Sequence, residues 1–434
     1  MADTGYGRSV QSAIFRAGVS GTRPIVPVDR DELARAAEHT LRPEAFAYLA
    51  GGAGSEHTVE ANRAAFARHA IWPRVLRDVS ERDLTVDLLG KQRRTPFVLS
   101  PVGVAELAHP EADLAVGRAA AANAVPYVLS NQASVPMEEV AVAMDATAPG
   151  RPRWFQLYWS SDDALNESFL QRAEECGCEA IVVTLDTHLL GWRARDLDLG
   201  YLPFTRGRGI AQYTSDPVFA GLVRERAGRP RHDDTAVKVT PTAIATALRM
   251  ARASAGTSVS PGGLAGALRS PLPRAAVETF LDVFSDPALT WNDLVKLREW
   301  TTLPIILKGI MHPDDAARAL DAGVDGVWVS NHGGRQLDRS VATLDALPGV
   351  VGRVAGAVPV IMDGGIRSGT DALIALALGA TAVGIGRQYA YGLAVGGALG
   401  VAEVIRNLLA ELDIALALAG ETSVRGLTSK VLRS

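Results

Sequence analysis

The chain has little cysteine: Cys176 and Cys178 are the only two in 434 residues. One intervening residue is a poor spacing for a disulfide, and no metal-ligand array surrounds them. Both are expected to be small buried hydrophobes in a reducing, cytoplasmic setting, and no metal site is expected. Excess basic charge is also missing. The formal net charge of −4 argues against a nucleic-acid surface. No run of about 18 apolar residues is uninterrupted, so no membrane span is expected. The start lacks a long apolar core behind a basic stretch, so no signal peptide is expected. The Rossmann glycine fingerprint does not follow the first strand-like run, which weighs against a doubly wound dinucleotide fold.

What is present is a rhythm. Short apolar runs, often with a proline just before them, end in small or polar residues at 96–103, 126–131, 153–159, 180–186, 304–309, 326–332, 359–365 and 382–387. Between most of them lie Ala-rich segments with helical spacing, such as Glu111–Asn123, Asp163–Glu175, Asp314–Ala322 and Thr370–Leu378. Continuous apolar strands alternating with helices indicate parallel βα units. Eight of them indicate an α/β fold of the (β/α)8 TIM-barrel class.

Two regions depart from the rhythm. Residues 1–28 are punctuated by Gly5, Gly7, Gly18, Gly21 and Pro24 and are expected to be an N-terminal arm, with helix only over Ser9–Ala17. Asp29 then starts a helix, with Glu32 as capping-box partner. That helical extension leads to Tyr48 and stops at Gly51. The barrel domain is expected over 29–434. Its fourth and fifth strands are separated by roughly 115 residues, far more than a crossover needs. The insertion, placed at 205–290, leaves from a strand's C-terminal end, where barrel active sites form, and is expected to be a lid. Within it Pro241–Arg252 is a candidate helix, and Ala255–Gly266 is expected to be mobile.

The strand ends form one constellation. The third run carries Gln156 and Tyr158, two apart and so on one side. The fourth carries Thr184 and Asp186, followed by Arg193. The fifth ends in Lys308, and the sixth supplies Ser330, His332 and Arg335. An imidazole can take a proton near neutral pH, and a guanidinium can hold a carboxylate with two hydrogen bonds. Asp186 could pair with His332 or be a plain turn residue. Arg193 and Arg335 could converge on one carboxylate or be surface ion pairs. Lys308 on a buried strand needs an anionic partner. The seventh and eighth runs end in Asp363-Gly364-Gly365-Ile366-Arg367 and Gly384-Ile385-Gly386-Arg387, glycine-rich loops each offering an arginine. Ser368, Gly369 and Thr370 then open a helix whose free N–H groups favour an anion, where barrels often bind phosphate. Tyr48, taken alone, is a core tyrosine, His312 belongs to a helix start, and His188 lies near the mouth without a partner.

SNHGGRQLD at 330–338, LDTHLLGWRARD at 185–196, DGGIRSG at 363–369 and YLAGGAGSEHT at 48–58 carry a further signal. With them the chain resembles the FMN-dependent α-hydroxy-acid oxidising family over roughly 30–430. TSDPVF at 214–219 and LKGIMHPDDA at 307–316 resemble its lactate-monooxygenase branch. The resemblance implies FMN as cofactor, a small L-2-hydroxy acid and O2 as partners, and a homotetramer. It implies oxidative decarboxylation to the acid one carbon shorter, carbon dioxide and water. A simple oxidase or a dehydrogenase with another acceptor are the alternatives. It assigns His332 as base with Asp186 as its partner, Arg193, Arg335 and Tyr48 to the carboxylate, and Tyr158 to the hydroxyl or carboxylate. Lys308 would lie beside the flavin, with Ser130, Gln156 and Thr184 on the ring and Pro101, Val102 and Gly103 along its reactive face. Ser330 and Asp363 would reach the ribityl chain. Gly364, Gly365, Arg367, Gly386 and Arg387 would hold the phosphate end. Gln132 and His188 depart from the family pattern and imply a more polar or larger substrate pocket.

Overall fold

The computed structural model describes residues 5–228 and 238–433. Eight short strands close into a barrel in chain order: β1 (Phe97–Leu99), β2 (Tyr127–Leu129), β3 (Arg153–Tyr158), β4 (Ile181–Thr184), β5 (Ile305–Lys308), β6 (Gly326–Val329), β7 (Val360–Met362) and β8 (Ala382–Ile385). Every pairing is parallel, and β8 closes on β1 with Val383 opposite Phe97. Each strand falls inside one of the eight apolar runs. The intervening helices Ala112–Asn123, Asp163–Glu175, Pro313–Asp321 and Gly369–Ala377 lie within a residue or so of their expected bounds.

Side chains alternate across each strand, and this sorts the barrel into layers. Val98, Val128, Trp154, Val182, Ile306, Trp328, Ile361 and Ala382 point inward and form an apolar plug, with Leu88 of the hairpin Val86–Leu88/Lys91–Arg93 packed on it. Their outward neighbours, such as Phe155, Val183, Leu307 and Val329, meet the helices in the larger cluster. Two residues further along each strand comes the next inward position. It is occupied by Ser100, Ser130, Gln156, Thr184, Lys308, Ser330, Asp363 and Gly384. The apolar floor therefore carries a polar layer at the C-terminal end, and the site is built on it.

The N-terminal segment is more ordered than its glycines suggest. Tyr6–Val19 is a helix that docks on the C-terminal helix Arg387–Ala419. Gly7 makes the close approach, its N–H donating to Asp413 Oδ2 at 2.8 Å, and the buried Arg82–Asp413 ion pair at 2.8 Å anchors the contact. Asp29 caps Arg30–Thr40 as expected, accepting from the amides of Asp31 and Glu32, but Glu32 pairs with Arg35 rather than closing a capping box. A break at Leu41–Arg42 starts a second helix, Pro43–Ala50, which carries Tyr48. The helix Arg387–Ala419 is long and apolar enough by composition to cross a membrane. It is interrupted at Gly396 and Gly397, and half of that apolar window is buried against the fold.

The long insertion is a packed helical cap. Its described helices include Pro217–Ala227, Pro241–Ser254, Gly263–Arg269 and Leu272–Val283. Asp216 of the TSDPVF motif caps the first through the amides of Val218 and Phe219 and pairs with Arg172 at 3.0 Å. Tyr213 stacks edge-on against Phe169, Phe219 and Phe280, and its hydroxyl donates to Asn131 Oδ1 at 2.6 Å, tying the cap to the end of β2. The expected mobile stretch 255–266 is instead structured. Val259 is buried, Ala255 bridges Ser260, and Gly263 opens a helix. Residues 229–237, part of the same compositionally biased stretch, lie outside the described residues.

Trp154 is fully buried in the inner layer. Trp154→Ala should lower unfolding free energy by about 3–5 kcal/mol, the cost of an emptied aromatic site. A denaturant midpoint that scarcely moves would show that the inner layer does not brace the barrel.

Candidate active site

The chain after β6 turns sharply. His332, Gly333 and Gly334 take φ of 57°, 63° and 79° in succession. For the two glycines this conformation is cheap; for His332 it costs about 1–2 kcal/mol. A Cβ at Gly334 would come within 2.7 Å of the Val59 amide, and one at Gly333 within 2.8 Å of Arg387 Nη1. The turn is held by Ser330 Oγ, which accepts from the His332 amide at 3.1 Å, and by paired Asn62 and Asn331 side chains at 2.8 and 2.9 Å. Strain of this kind concentrates at functional sites.

The turn aims the imidazole at the barrel axis. His332 Nδ1 lies 2.8 Å from Asp186 Oδ1 at the end of β4, and Nε2 lies 3.5 Å from the Tyr158 hydroxyl. Thr187 Oγ1 donates to the same carboxylate oxygen at 3.0 Å. Burial alone would raise the Asp186 carboxyl, but His332 and Lys308 outweigh it and hold it at about 2. Burial pulls the His332 imidazole below its ordinary value; Asp186 resists, while Lys308 and Arg193 add to the depression. The resting ring is therefore a neutral base, with Nδ1 tied to a carboxylate and Nε2 free to take a proton. Burial, with the Asp186 charge, pushes the Tyr158 phenol up, so it remains a donor.

The positive side of the cavity is assembled from three directions. Arg335 donates through Nη1 to the carbonyls of Tyr48 and, at 2.9 Å, Gly51. Arg387 reaches the Gly51 carbonyl at 3.0 Å and the Gly333 carbonyl at 2.8 Å. The Tyr48 and Gly51 carbonyls are end carbonyls of the helix Pro43–Ala50, where cations are favoured. Gln336 bonds the loop carbonyls of Asp186 and Leu189 and accepts from Arg193 Nη2 at 3.1 Å. The Arg335 and Arg193 guanidinium carbons lie 5.0 and 5.9 Å from the Tyr48 ring centre.

A cavity of about 1000 Å3 joins these groups. Around it stand Tyr48, Tyr158, Gln132, Arg193, Arg335 and His332 on one side, and Gly364, Gly365, Arg367, Gly386 and Arg387 on the other. Pro101, Val102, Gly103, Lys308 and Asp363 lie between them. Ser130, Gln156, Thr184, Ser330 and Asp186 stand just behind the lining. Ser130 donates to Gln156 at 2.8 Å and Gln156 to Thr184 at 2.9 Å, so these three form a braced chain. Lys308 donates to Ser330 Oγ at 2.8 Å and sits 3.4 Å from Asp363, which also accepts from Ser330 and Ser100. The anionic partner expected for Lys308 is thus already within the protein.

The cavity fits a phosphorylated cofactor on physical grounds. Arg193, Arg335, Arg367 and Arg387 make no ion pair among the described residues. Burial, then the neighbouring guanidinium, pulls Arg335 to about 9 and Arg367 to about 10. Arg387 is depressed chiefly by burial, and its buried Nε has no acceptor. Arginine does not give up its proton at neutral pH, so this cost calls for anions in the cavity.

Two expectations are corrected. The helix Gly369–Ala377 does not offer a free N-terminus: Gly369 N–H donates to Glu411 at 2.9 Å, and Asp371 N–H to Ser368. Instead the helix beginning at Arg387, capped by no side chain, opens on the cavity through Gly386 and Ala390. His188 is exposed and stands outside the lining of this cavity, so of the two departures from the family pattern only Gln132 makes the pocket more polar. Residues not foreseen are Thr187, Gln336, Ser100, Phe204 and Phe284, together with Asp196, whose carboxyl burial raises while Arg335 and Arg193 lower it. Gln336 and Asp196 lie inside the quoted motifs, but nothing in an amide or a lone carboxylate announces a positioning role.

The family model described as FMN-dependent dehydrogenase matches residues 37–434. The L-lactate oxidase of Lysinibacillus sphaericus (strain C3-41) is 39% identical over 411 residues, covering 94% of this chain and 92% of that protein. The L-lactate dehydrogenase of Alcaligenes faecalis is 35% identical over 402 residues, 92% of this chain and 96% of that one. The crystal structure of mandelate oxidase with (S)-4-hydroxymandelic acid superposes with a TM-score of 0.74 at 36% identity, covering 94% and 98% of the two chains.

Arg367→Met should remove one of two half-buried cations at the glycine-rich end and weaken cofactor retention by about tenfold or more. Flavin absorbance after dialysis reads this directly; undiminished retention would displace the phosphate end from this part of the cavity.

Proposed function

We propose that this chain, which belongs to the FMN-dependent dehydrogenase family, oxidises an L-2-hydroxy acid with O2 and retains the first products until they react with each other. The class of reaction is FMN-dependent oxidation of an α-hydroxy acid. The retention step is our own reading. For lactate the sum is lactate plus O2 giving acetate, carbon dioxide and water.

FMN, when bound, supplies the two-electron acceptor. Arg367, Arg387 and the backbone at Gly364, Gly365 and Gly386 would hold its phosphate, with Pro101–Gly103, Lys308 and Asp363 along the rest of the cavity. Arg193 and Arg335 bind the substrate carboxylate, a bidentate task suited to guanidinium and not to ammonium. Arg335 is oriented for it by the Tyr48 and Gly51 carbonyls and Arg193 by Gln336. Tyr158, kept protonated, donates to the substrate hydroxyl or carboxylate. His332 Nε2 takes the hydroxyl proton, and Asp186 stabilises the imidazolium that results.

The observation that supports retention is the cap. Phe204 and Phe284, one at each end of the insertion, both line the cavity. Phe204 packs edge-on to Tyr48 with ring centres 6.3 Å apart, and the cap is tied to β2 through Tyr213. Closure of this cap over the cavity would keep a 2-oxo acid beside hydrogen peroxide long enough for the peroxide to decarboxylate it, which releases carbon dioxide and water. A simple oxidase is the second reading, favoured by relatives named as oxidases.

Product analysis with L-lactate in air separates the two. We expect acetate and carbon dioxide with little peroxide; stoichiometric pyruvate and hydrogen peroxide would establish the oxidase instead. Because the base must be neutral, kcat/KM should be flat above neutrality and fall only at pH below the ordinary histidine value of 6.5. An acid limb at or above that value, or substrate-driven flavin bleaching that survives His332→Ala, would remove His332 from the role of base.

A further inference from the structure

A second cavity, of about 970 Å3, lies on the far side of the turn that carries Phe204. Its wall is drawn from four places in the chain: residues 40–45, where helix Arg30–Thr40 gives way to Pro43–Ala50, the turn around Glu106–Pro110, the segment Tyr201–Arg208, and Arg249 of the inserted helix Pro241–Ser254. Four arginines line it, Arg42, Arg206, Arg208 and Arg249, against two carboxylates, Glu44 and Glu106.

The carboxylates do not satisfy the cations. Glu106 is engaged on both oxygens, 3.4 Å from Arg208 Nη1 and accepting the Gly209 amide at 3.3 Å. Arg206 lies over the Tyr201 ring at 4.6 Å and makes no ion pair among the described residues. Arg249 makes none either, and the Nε of Arg208 is buried without an acceptor. Arg206, Arg208 and Arg249 line this one cavity, and burial, then Arg208 and Arg206, depress the Arg249 guanidinium against the opposing pull of Tyr201 and Glu106. Like charges gathered around a cavity repel one another unless an anion enters.

We propose that this cavity binds a compact anion of two or more negative charges, a tricarboxylate or a phosphate, and that its occupancy sets the Phe204 wall of the active site. Guanidinium forks suit both oxyanions. The link is short. Phe204 faces the active cavity while Arg206, two residues on, faces the second one. Gly209, with φ of 68°, packs so closely on Val104 that a Cβ there would approach to 2.5 Å, and the Val104 amide donates to the Gln132 carbonyl at 2.8 Å. An anion bridging Arg206, Arg208 and Arg249 pins the inserted helix to this turn. It thereby holds one face of the substrate pocket. The site is independent of which products the enzyme releases.

The test uses the FMN-loaded full-length protein titrated with citrate and, separately, with inorganic phosphate, ionic strength being held constant with sodium chloride. Tm and the KM for the 2-hydroxy acid are the readouts. We expect a saturable rise in Tm and a saturable change in KM with at least one of the two anions. In Arg249→Ser both responses should shift to about tenfold higher anion concentration, the loss of one charge-assisted contact. Arg206→Ser should act in the same way, and Arg193→Lys, which alters only the active cavity, should keep the Tm response. The site is overturned by equal responses in wild type and both serine variants, by loss of the Tm response in Arg193→Lys, or by a response no different from that to chloride. A saturable Tm rise with an unchanged KM would overturn the link to the Phe204 wall.

Discussion

The active site rests on partly buried positive charge that the protein itself does not neutralise. Arg193, Arg335, Arg367 and Arg387 surround one cavity without a carboxylate partner among the described residues. Desolvating a cation is costly, and each of these is partly compensated by carbonyls rather than by counter-charge. The carbonyl end of helix Pro43–Ala50 does much of this, receiving both Arg335 and Arg387. The residual imbalance is the affinity of the site. Guanidinium pairs of this kind suit oxyanions, and burial, with Lys308 and Arg193, holds the His332 imidazole below its ordinary value.

This arrangement depends on the period of the strand. Inward positions of the eight strands hold an apolar layer topped by a polar one, two residues further along each strand. Trp154 and Trp328 fill the floor where smaller branched residues are more usual, and they support Gln156 and Ser330 directly above. One more step of two places Tyr158, Asp186 and His332 at the mouth. Floor, bracing layer and reacting groups are thus successive turns of one alternation, so a register slip of one residue would scatter the site.

The cap joins the two cavities. Its aromatic cluster is anchored to β2 through Tyr213 and Asn131, and to the helix Asp163–Glu175 through Asp216 and Arg172. Phe204 stands at its edge, where a turn two residues long separates substrate pocket from arginine cluster. Through this turn the proposed anion site would reach the active cavity.

Much was legible in the chain itself. The eight strands could be located because each is a short apolar run buried on both faces, and the placement of His332, Asp186, Arg335 and the glycine-rich ends follows from strand direction. The sequence by itself determined the barrel, the residue types at its mouth and the family they resemble, because these depend on local period and on side-chain chemistry. Tertiary structure decided which partners those groups found. Asp363 stands 3.4 Å from Lys308 on the cavity wall, Glu411 closes the helix that looked free, and His188 turns to solvent. It also packed the 255–266 stretch through Val259 and drew Arg206, Arg208 and Arg249 together from two segments. Those outcomes depend on distances between residues far apart in the chain, and no local pattern of period or composition encodes them.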